Sequence, residues 1–116
     1  MAAKITVYEK PTCTTCKNLA KLLKERGIEY NAVNYFFDPL SEKEIRELIK
    51  KLNEPAFSLI RTKEPLAKEL GLGKETPESE IIDALVRHPE LLNRPVVVFG
   101  NKAIVARPAE KVLEIL

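Results

Sequence analysis

The sequence predicts an α/β fold in which helices cover both faces of a mixed four-stranded sheet. Three observations carry that reading: a β-branched strand leading directly into an amphipathic helix and a second strand, a helical stretch over residues 41–92, and a hairpin signature that precedes a last amphipathic segment. With 116 residues and 45% hydrophobic content, the chain makes one domain, 1–116, whose core needs no disulfide staple.

Each element has a local reason. "KITVY" (4–8) is rich in β-branched and aromatic residues and is stopped by Pro11, so it reads as a short buried strand. From Thr14 to Arg26, Leu19, Ala20, Leu22 and Leu23 recur at helical spacing, and Gly27 supplies a left-handed residue to end the helix. "IEYNAVNYF" (28–36) alternates as a second strand. The intervening helix makes it parallel to the first. In "SEKEIRELIKKL", Ser41 and Glu44 form a capping box ahead of the apolar stripe Ile45, Leu48, Ile49 and Leu52.

Residues 54–75 read as short helical pieces started by Pro55 and Pro65 and stopped by Gly71 and Gly73. Thr76 then caps a helix with Pro77 at its first position, running to about His88. "PVVVFGNKAIVAR" is an apolar run, the two-residue turn Gly100-Asn101 and a second apolar run, and "PAEKVLEIL" closes as an amphipathic helix. The order β, α, β, helical block, β, β, α is that of a thioredoxin-like fold carrying a helical insertion at about 41–92.

Composition excludes several function classes. Lys and Arg number 19 against 17 Asp and Glu, a formal +2, and the basic residues are scattered rather than gathered on one face as a nucleic-acid binder requires. Tyr8, Tyr35, Phe36, Phe37 and Phe57 read as core or strand residues, not as a base-stacking platform. "MAAKITVYEK" has no apolar segment of signal-peptide length, and no window approaches the roughly 20 apolar residues of a membrane span. A soluble cytoplasmic protein is expected, and nothing demands more than a monomer. In a reducing compartment a paired CxxC serves catalysis, redox sensing or metal binding rather than permanent stapling.

The only two cysteines lie in "EKPTCTTCKN". If a helix begins near Thr14, Cys13 stands at its amino-terminal edge, where unpaired N–H groups and the helix dipole favour negative charge. A free thiol with a pKa of about 8.5 is a minor thiolate at neutral pH, whereas helix-end CxxC sites fall to roughly 3.5–7.5. Cys13 is then the attacking sulfur. Cys16, one turn inside the helix on the same face, is placed to resolve an adduct by forming an intramolecular disulfide. Two alternatives stand beside this. Zinc needs two further ligands where the chain has no third cysteine and one histidine, His88, so no metal is expected. The other is a pair of buried structural thiols.

Arg61, Arg94 and Arg107 sit in apolar or proline-bounded contexts, "SLIRTK", "LNRPVVV" and "IVARPAE". A guanidinium fork donates two parallel hydrogen bonds and suits a tetrahedral oxyanion better than lysine does. Arg94 precedes Pro95 at the start of the third strand. X-Pro bonds are where cis peptides occur, and in thioredoxin-like folds a cis-proline here opposes the cysteine loop. Pro95 is therefore a structural residue that would carry Arg94 to the thiol.

"VYEKPTCTTCKN", "LIRTKEP", "HPELLNRPVVV" and "ARPAEKVLEIL" resemble the glutaredoxin-type arsenate reductases along essentially the whole chain. The resemblance implies that Cys13 matches the catalytic cysteine and that Arg61, Arg94 and Arg107 match the oxyanion-binding arginines. It also implies that no cofactor is bound. In that family the thiolate attacks arsenate, glutathione displaces the arsenic adduct, and glutaredoxin reduces the mixed disulfide; thioredoxin is the alternative reductant. Two positions depart from the family's best-studied pattern, which has a serine where Cys16 stands and a histidine near Glu9. The competing reading is an Spx-type redox-sensing regulator, which resembles this fold, carries a CxxC at the same place and acts by binding RNA polymerase.

Overall fold

In the computed structural model, which describes residues 5–116, four strands form one sheet: β1 (Ile5–Glu9), β2 (Asn31–Asn34), β3 (Val96–Phe99) and β4 (Lys102–Val105). Lys4, the first residue of the expected first strand, lies outside the described residues. The sheet order is β2-β1-β3-β4. β1 is parallel to β2 and antiparallel to β3, which pairs antiparallel with β4, as expected for a mixed sheet. The register fixes the site's position. Tyr8 pairs with Val96 and Glu9 with Asn34, so the chain entering the cysteine loop and the residues just before β3 share one end of the sheet.

Strand alternation divides the core into two. Val97 and Ile104 face a cluster with Ile5, Val7, Leu19, Leu23 and Val112, closed by α1 (Thr14–Glu25) and a 3₁₀ helix at Ala109–Glu114. Val96, Ala103 and Val105 face the opposite cluster, built from α2 (Glu42–Lys51), α4 (Glu78–Arg87) and a 3₁₀ turn at Ala56–Leu59. Between α2 and α4 lies the short α3 (Pro65–Glu69), with Pro65 in its first turn. β3 is buried on both sides at Val96 and Val97 and therefore reads as an unbroken apolar run.

Local signals explain the element ends. Gly27 at φ 68° ends α1, with the Ile28 amide returning to the Leu23 carbonyl at 2.9 Å. The Ser41–Glu44 capping box is present in both directions. Gly100 at φ 62° opens the β3–β4 turn.

Four expectations are corrected. Phe36 and Phe37, read as core or strand residues, lie in the turn after β2 and are exposed. The second strand covers Asn31–Asn34 rather than 28–36. Ile28 is consumed in closing α1, and the Phe37 and Asp38 amides both turn back to the Asn34 carbonyl. Thr76 does not cap α4. Its Oγ1 instead accepts from the Gly73 amide at 2.8 Å, and the helix begins one residue later, at Glu78 after Pro77. The last segment is 3₁₀ rather than α-helical. Three residues per turn stack Ala109, Val112 and Ile115 on one side, and all three pack on the same cluster.

Candidate active site

The loop after β1 turns at once into α1, with the Cys13 amide bonding back to the Lys10 carbonyl at 2.9 Å. Cys13 is the N-cap of α1, in extended backbone geometry, and its carbonyl accepts the Lys17 amide at 3.0 Å. The first turn of the helix has no acidic side chain, so nothing on α1 offsets the positive end of its dipole. Cys13 is half-buried, whereas Cys16 is 1% exposed, and both are free thiols.

The two sulfurs differ sharply. Burial pushes the Cys13 thiol up, but this is outweighed by the Cys16 amide and thiol, the Arg94 guanidinium and the Thr15 amide, which together bring it down to about 7. Cys13 makes no formal side-chain capping bond, so these groups stabilise the charged sulfur as a concave set of donors rather than through one short contact. Cys16 is pushed up to about 12, first by burial, then by its thiol bond to Cys13 and by the charges of Cys13 and Glu9, against the opposing Lys10 amide. One thiol ionises near neutrality while its neighbour holds a proton for it.

Two of the three arginines reach this sulfur. The Arg94–Pro95 and Arg107–Pro108 peptides are both cis. Arg107 Nη1 donates to the Arg94 carbonyl at 2.8 Å and lies 4.0 Å from Cys13 Sγ, which ties the start of β3 to the segment after β4. Arg94 is 6% exposed, and its Nε is buried without a hydrogen-bond partner. An unpaired buried donor costs about 1–3 kcal/mol, a deficit that a bound acceptor would relieve. Burial opposes its charge, but the Tyr35 hydroxyl and the Cys13 sulfur more than restore it.

Arg61 makes other contacts, although its Nε, like that of Arg94, is buried without a hydrogen-bond partner. Its amide donates to the Leu91 carbonyl at 2.7 Å and its Nε lies 3.7 Å from the Glu64 carboxylate. Its charge reaches the Tyr35 hydroxyl. Among the described residues no hydrogen bond or ion pair joins it to Cys13, Arg94 or Arg107.

Tyr35 is the residue that sequence reasoning assigned to the core alone. It is fully buried, yet its hydroxyl donates to the Leu92 carbonyl at 3.2 Å and accepts from Arg94 Nη1 at 3.3 Å. One hydroxyl thus holds the arginine at Nη1 while Nε stays unpaired. The available signal was chemical: a buried tyrosine needs a partner for its hydroxyl. Tyr35→Phe keeps the packing and frees the guanidinium. The expected result is a several-fold rise in the KM for oxyanion with kcat less affected, about 1 kcal/mol by the ordinary worth of such a bond. Initial-rate kinetics check it, and an unchanged KM would reject the positioning role.

Among the described residues no three His, Cys, Asp or Glu side chains cluster as metal ligands, and no helix is long and apolar enough to cross a membrane.

The chain has clear relatives among known proteins. The chain is 36% identical over 113 residues to an arsenate reductase of Rhizobium meliloti, covering 97% of this chain and 81% of that one. It is 39% identical over 118 residues to the uncharacterized protein YfgD of Escherichia coli, covering 100% and 99%. A solved structure described as arsenate reductase from Vibrio cholerae superposes with a TM-score of 0.90 at 32% identity, covering 100% of both chains. Residues 8–115 match the ArsC family, so nearly the whole chain, with the cysteine pair and all three arginines, belongs to that family.

Proposed function

We propose that the protein is a thiol-dependent oxyanion reductase acting on arsenate. The geometry that carries this reading is a sulfur at the start of α1, 4.0 Å from Arg107 and with its pKa brought down to about 7, beside Arg94, a buried cation with an unpaired donor. The arsenate reductases among its relatives support the choice of oxyanion.

The Cys13 thiolate attacks arsenic(V), forming an S–As bond as one arsenate oxygen leaves as water with two protons. Arg94 and Arg107 hold the charge on the remaining oxygens, and Arg61 adds field from the next layer. A second thiol then attacks the Cys13 sulfur, so that an S–S bond forms while the S–As bond breaks. The bonding pair stays on arsenic, which leaves as arsenite in the +3 state. Two thiols have lost one electron each, and arsenic has gained two.

Cys16 is the internal candidate for that second thiol. Its proton is held in part by the Cys13 charge and by the bond to the Cys13 sulfur. Formation of the adduct turns the Cys13 thiolate into a covalent sulfur and so takes away those two contributions, while burial, the largest cause, still opposes ionisation of Cys16. Glutathione with glutaredoxin, or thioredoxin, returns the resulting disulfide to thiols. Free cysteines of this kind fit a reducing compartment, in this reading the cytoplasm.

The test is arsenate-dependent NADPH oxidation coupled to glutathione, glutaredoxin and glutathione reductase, run beside a thioredoxin-coupled version. Turnover in either supports the reductase. Silence in both, together with capture of purified RNA polymerase, would replace it with the regulator. Cys16→Ser separates the two resolving routes. The expected outcome is an adduct retained on Cys13, visible by intact mass, and turnover that depends on added glutathione. Wild-type behaviour in that variant would make Cys16 structural.

A further inference from the structure

We propose that the cavity beside Arg107 is the docking site of the small thiol that regenerates Cys13, and that it selects a thiol bearing a carboxylate. This deepens the reductase reading and rests on it. The cavity encloses about 280 Å³ between the 3₁₀ turn at Ala56–Leu59, the residues before β3 and the segment after β4. That is just under the roughly 300–1,000 Å³ of ordinary small-molecule pockets, so it suits one end of a small peptide-like thiol.

Arg107 makes the connection to the chemistry. The side chain that lines this cavity is also the one whose Nη1 lies 4.0 Å from Cys13 Sγ, so the cavity and the reactive sulfur meet at one guanidinium. A second cavity, about 480 Å³ beside Leu70 and Arg87, is lined by no residue of the cysteine–arginine cluster.

The wall specifies the ligand. Arg107 and Lys111 bring two positive charges against one negative charge from Glu54. Lys111 Nζ is paired to Glu54 at 3.2 Å, but both side chains are about one-third exposed, and such a solvent-screened pair holds its partners weakly. A ligand carboxylate can therefore recruit Lys111. Ser58 Oγ is buried without a hydrogen-bond partner, while Asn93 is fixed by the Ser58 carbonyl and the Arg94 amide. Ser58 lines the cavity beside Asn93, and Phe57 gives an apolar surface to the methylenes of a peptide-like ligand.

The step itself is thiol–disulfide exchange. The docked thiolate attacks the Cys13 sulfur. Its S–S bond forms as the bond from Cys13 to the departing sulfur breaks, and the electron pair leaves with that sulfur, which takes up a proton. A second molecule of thiol repeats the exchange and frees Cys13 as thiolate, the two thiols ending as one disulfide.

The experiment uses Cys16→Ser protein whose Cys13 has been converted to a mixed disulfide with dithiodipyridine, and follows thiopyridone release by absorbance with glutathione or with uncharged mercaptoethanol. The rate with glutathione is expected to saturate. Lys111→Ala raises its half-saturation about fivefold, and Glu54→Gln, which removes the competing carboxylate, lowers it. Mercaptoethanol is expected to react linearly and equally with all three proteins. A linear glutathione response, or a Lys111→Ala effect shared by both thiols, would overturn the proposal. No arsenate enters the assay, so that failure leaves the reductase reading intact, whereas failure of Cys13 to take up the label counts against the nucleophile itself.

Discussion

Cys13→Ser is expected to lose arsenate turnover by at least about 10³-fold, the scale on which removal of an essential nucleophile acts. A serine hydroxyl at the same N-cap would still accept helix N–H groups, so the fold should be kept and the loss confined to chemistry. The pH dependence of wild-type Cys13 supplies the companion measurement. With its pKa lowered from 9.0 to about 7, the sulfur is mostly protonated below pH 7 and mostly thiolate above it. Alkylation by iodoacetamide, followed by intact mass, should therefore rise through about pH 7 and level off. An ordinary thiol would keep rising toward pH 9. Cys16, pushed up to about 12, should add no second label in that window. Retained turnover in Cys13→Ser, or alkylation that climbs only near pH 9, would remove the basis of the mechanism.

How much of this was legible in the sequence depended on whether the signal was local. Gly27, the Ser41–Glu44 box and the Gly100-Asn101 turn act within a few residues, and each is where the pattern places it. The position of Cys13 follows from two such signals, a strand end and a helix start. The length of β2 and the start of α4 were misjudged because backbone groups were claimed by neighbours that pattern does not rank. The Leu23 carbonyl took the Ile28 amide, and Thr76 turned toward Gly73. Side-chain partnerships across the fold left still less trace. Tyr35 and Arg94 are 59 residues apart, and Arg107 lies 94 from Cys13. The apolar and proline-bounded contexts of the arginines suggested that they face an anion. That Arg107 reaches the sulfur, while Arg61 has no hydrogen bond to it among the described residues, follows only from how the strands pair.

Arg94→Ala is expected to lower kcat/KM for arsenate by about 10²–10³-fold, the usual cost of deleting one preorganised donor from an oxyanion site. Two effects combine in it. The buried fork that would receive the oxyanion is gone, and one of the groups that hold Cys13 as thiolate goes with it, so the sulfur's pKa must move up from about 7. The variant should therefore lose most at pH 6–7 and recover part of its deficit at higher pH, a profile that a merely misfolded protein would not give. Stability should suffer less than the burial of the residue suggests. The Tyr35 hydroxyl keeps its bond to the Leu92 carbonyl, and Arg107 still reaches the residue 94 carbonyl, which alanine retains. Arg94→Lys should not rescue activity. An ammonium restores the charge, but it cannot at once meet the Tyr35 hydroxyl and offer two parallel donors to the anion. Arsenate saturation curves across pH, read beside thermal unfolding, check all three statements, and an unchanged kcat/KM in Arg94→Ala would move the oxyanion site away from this residue.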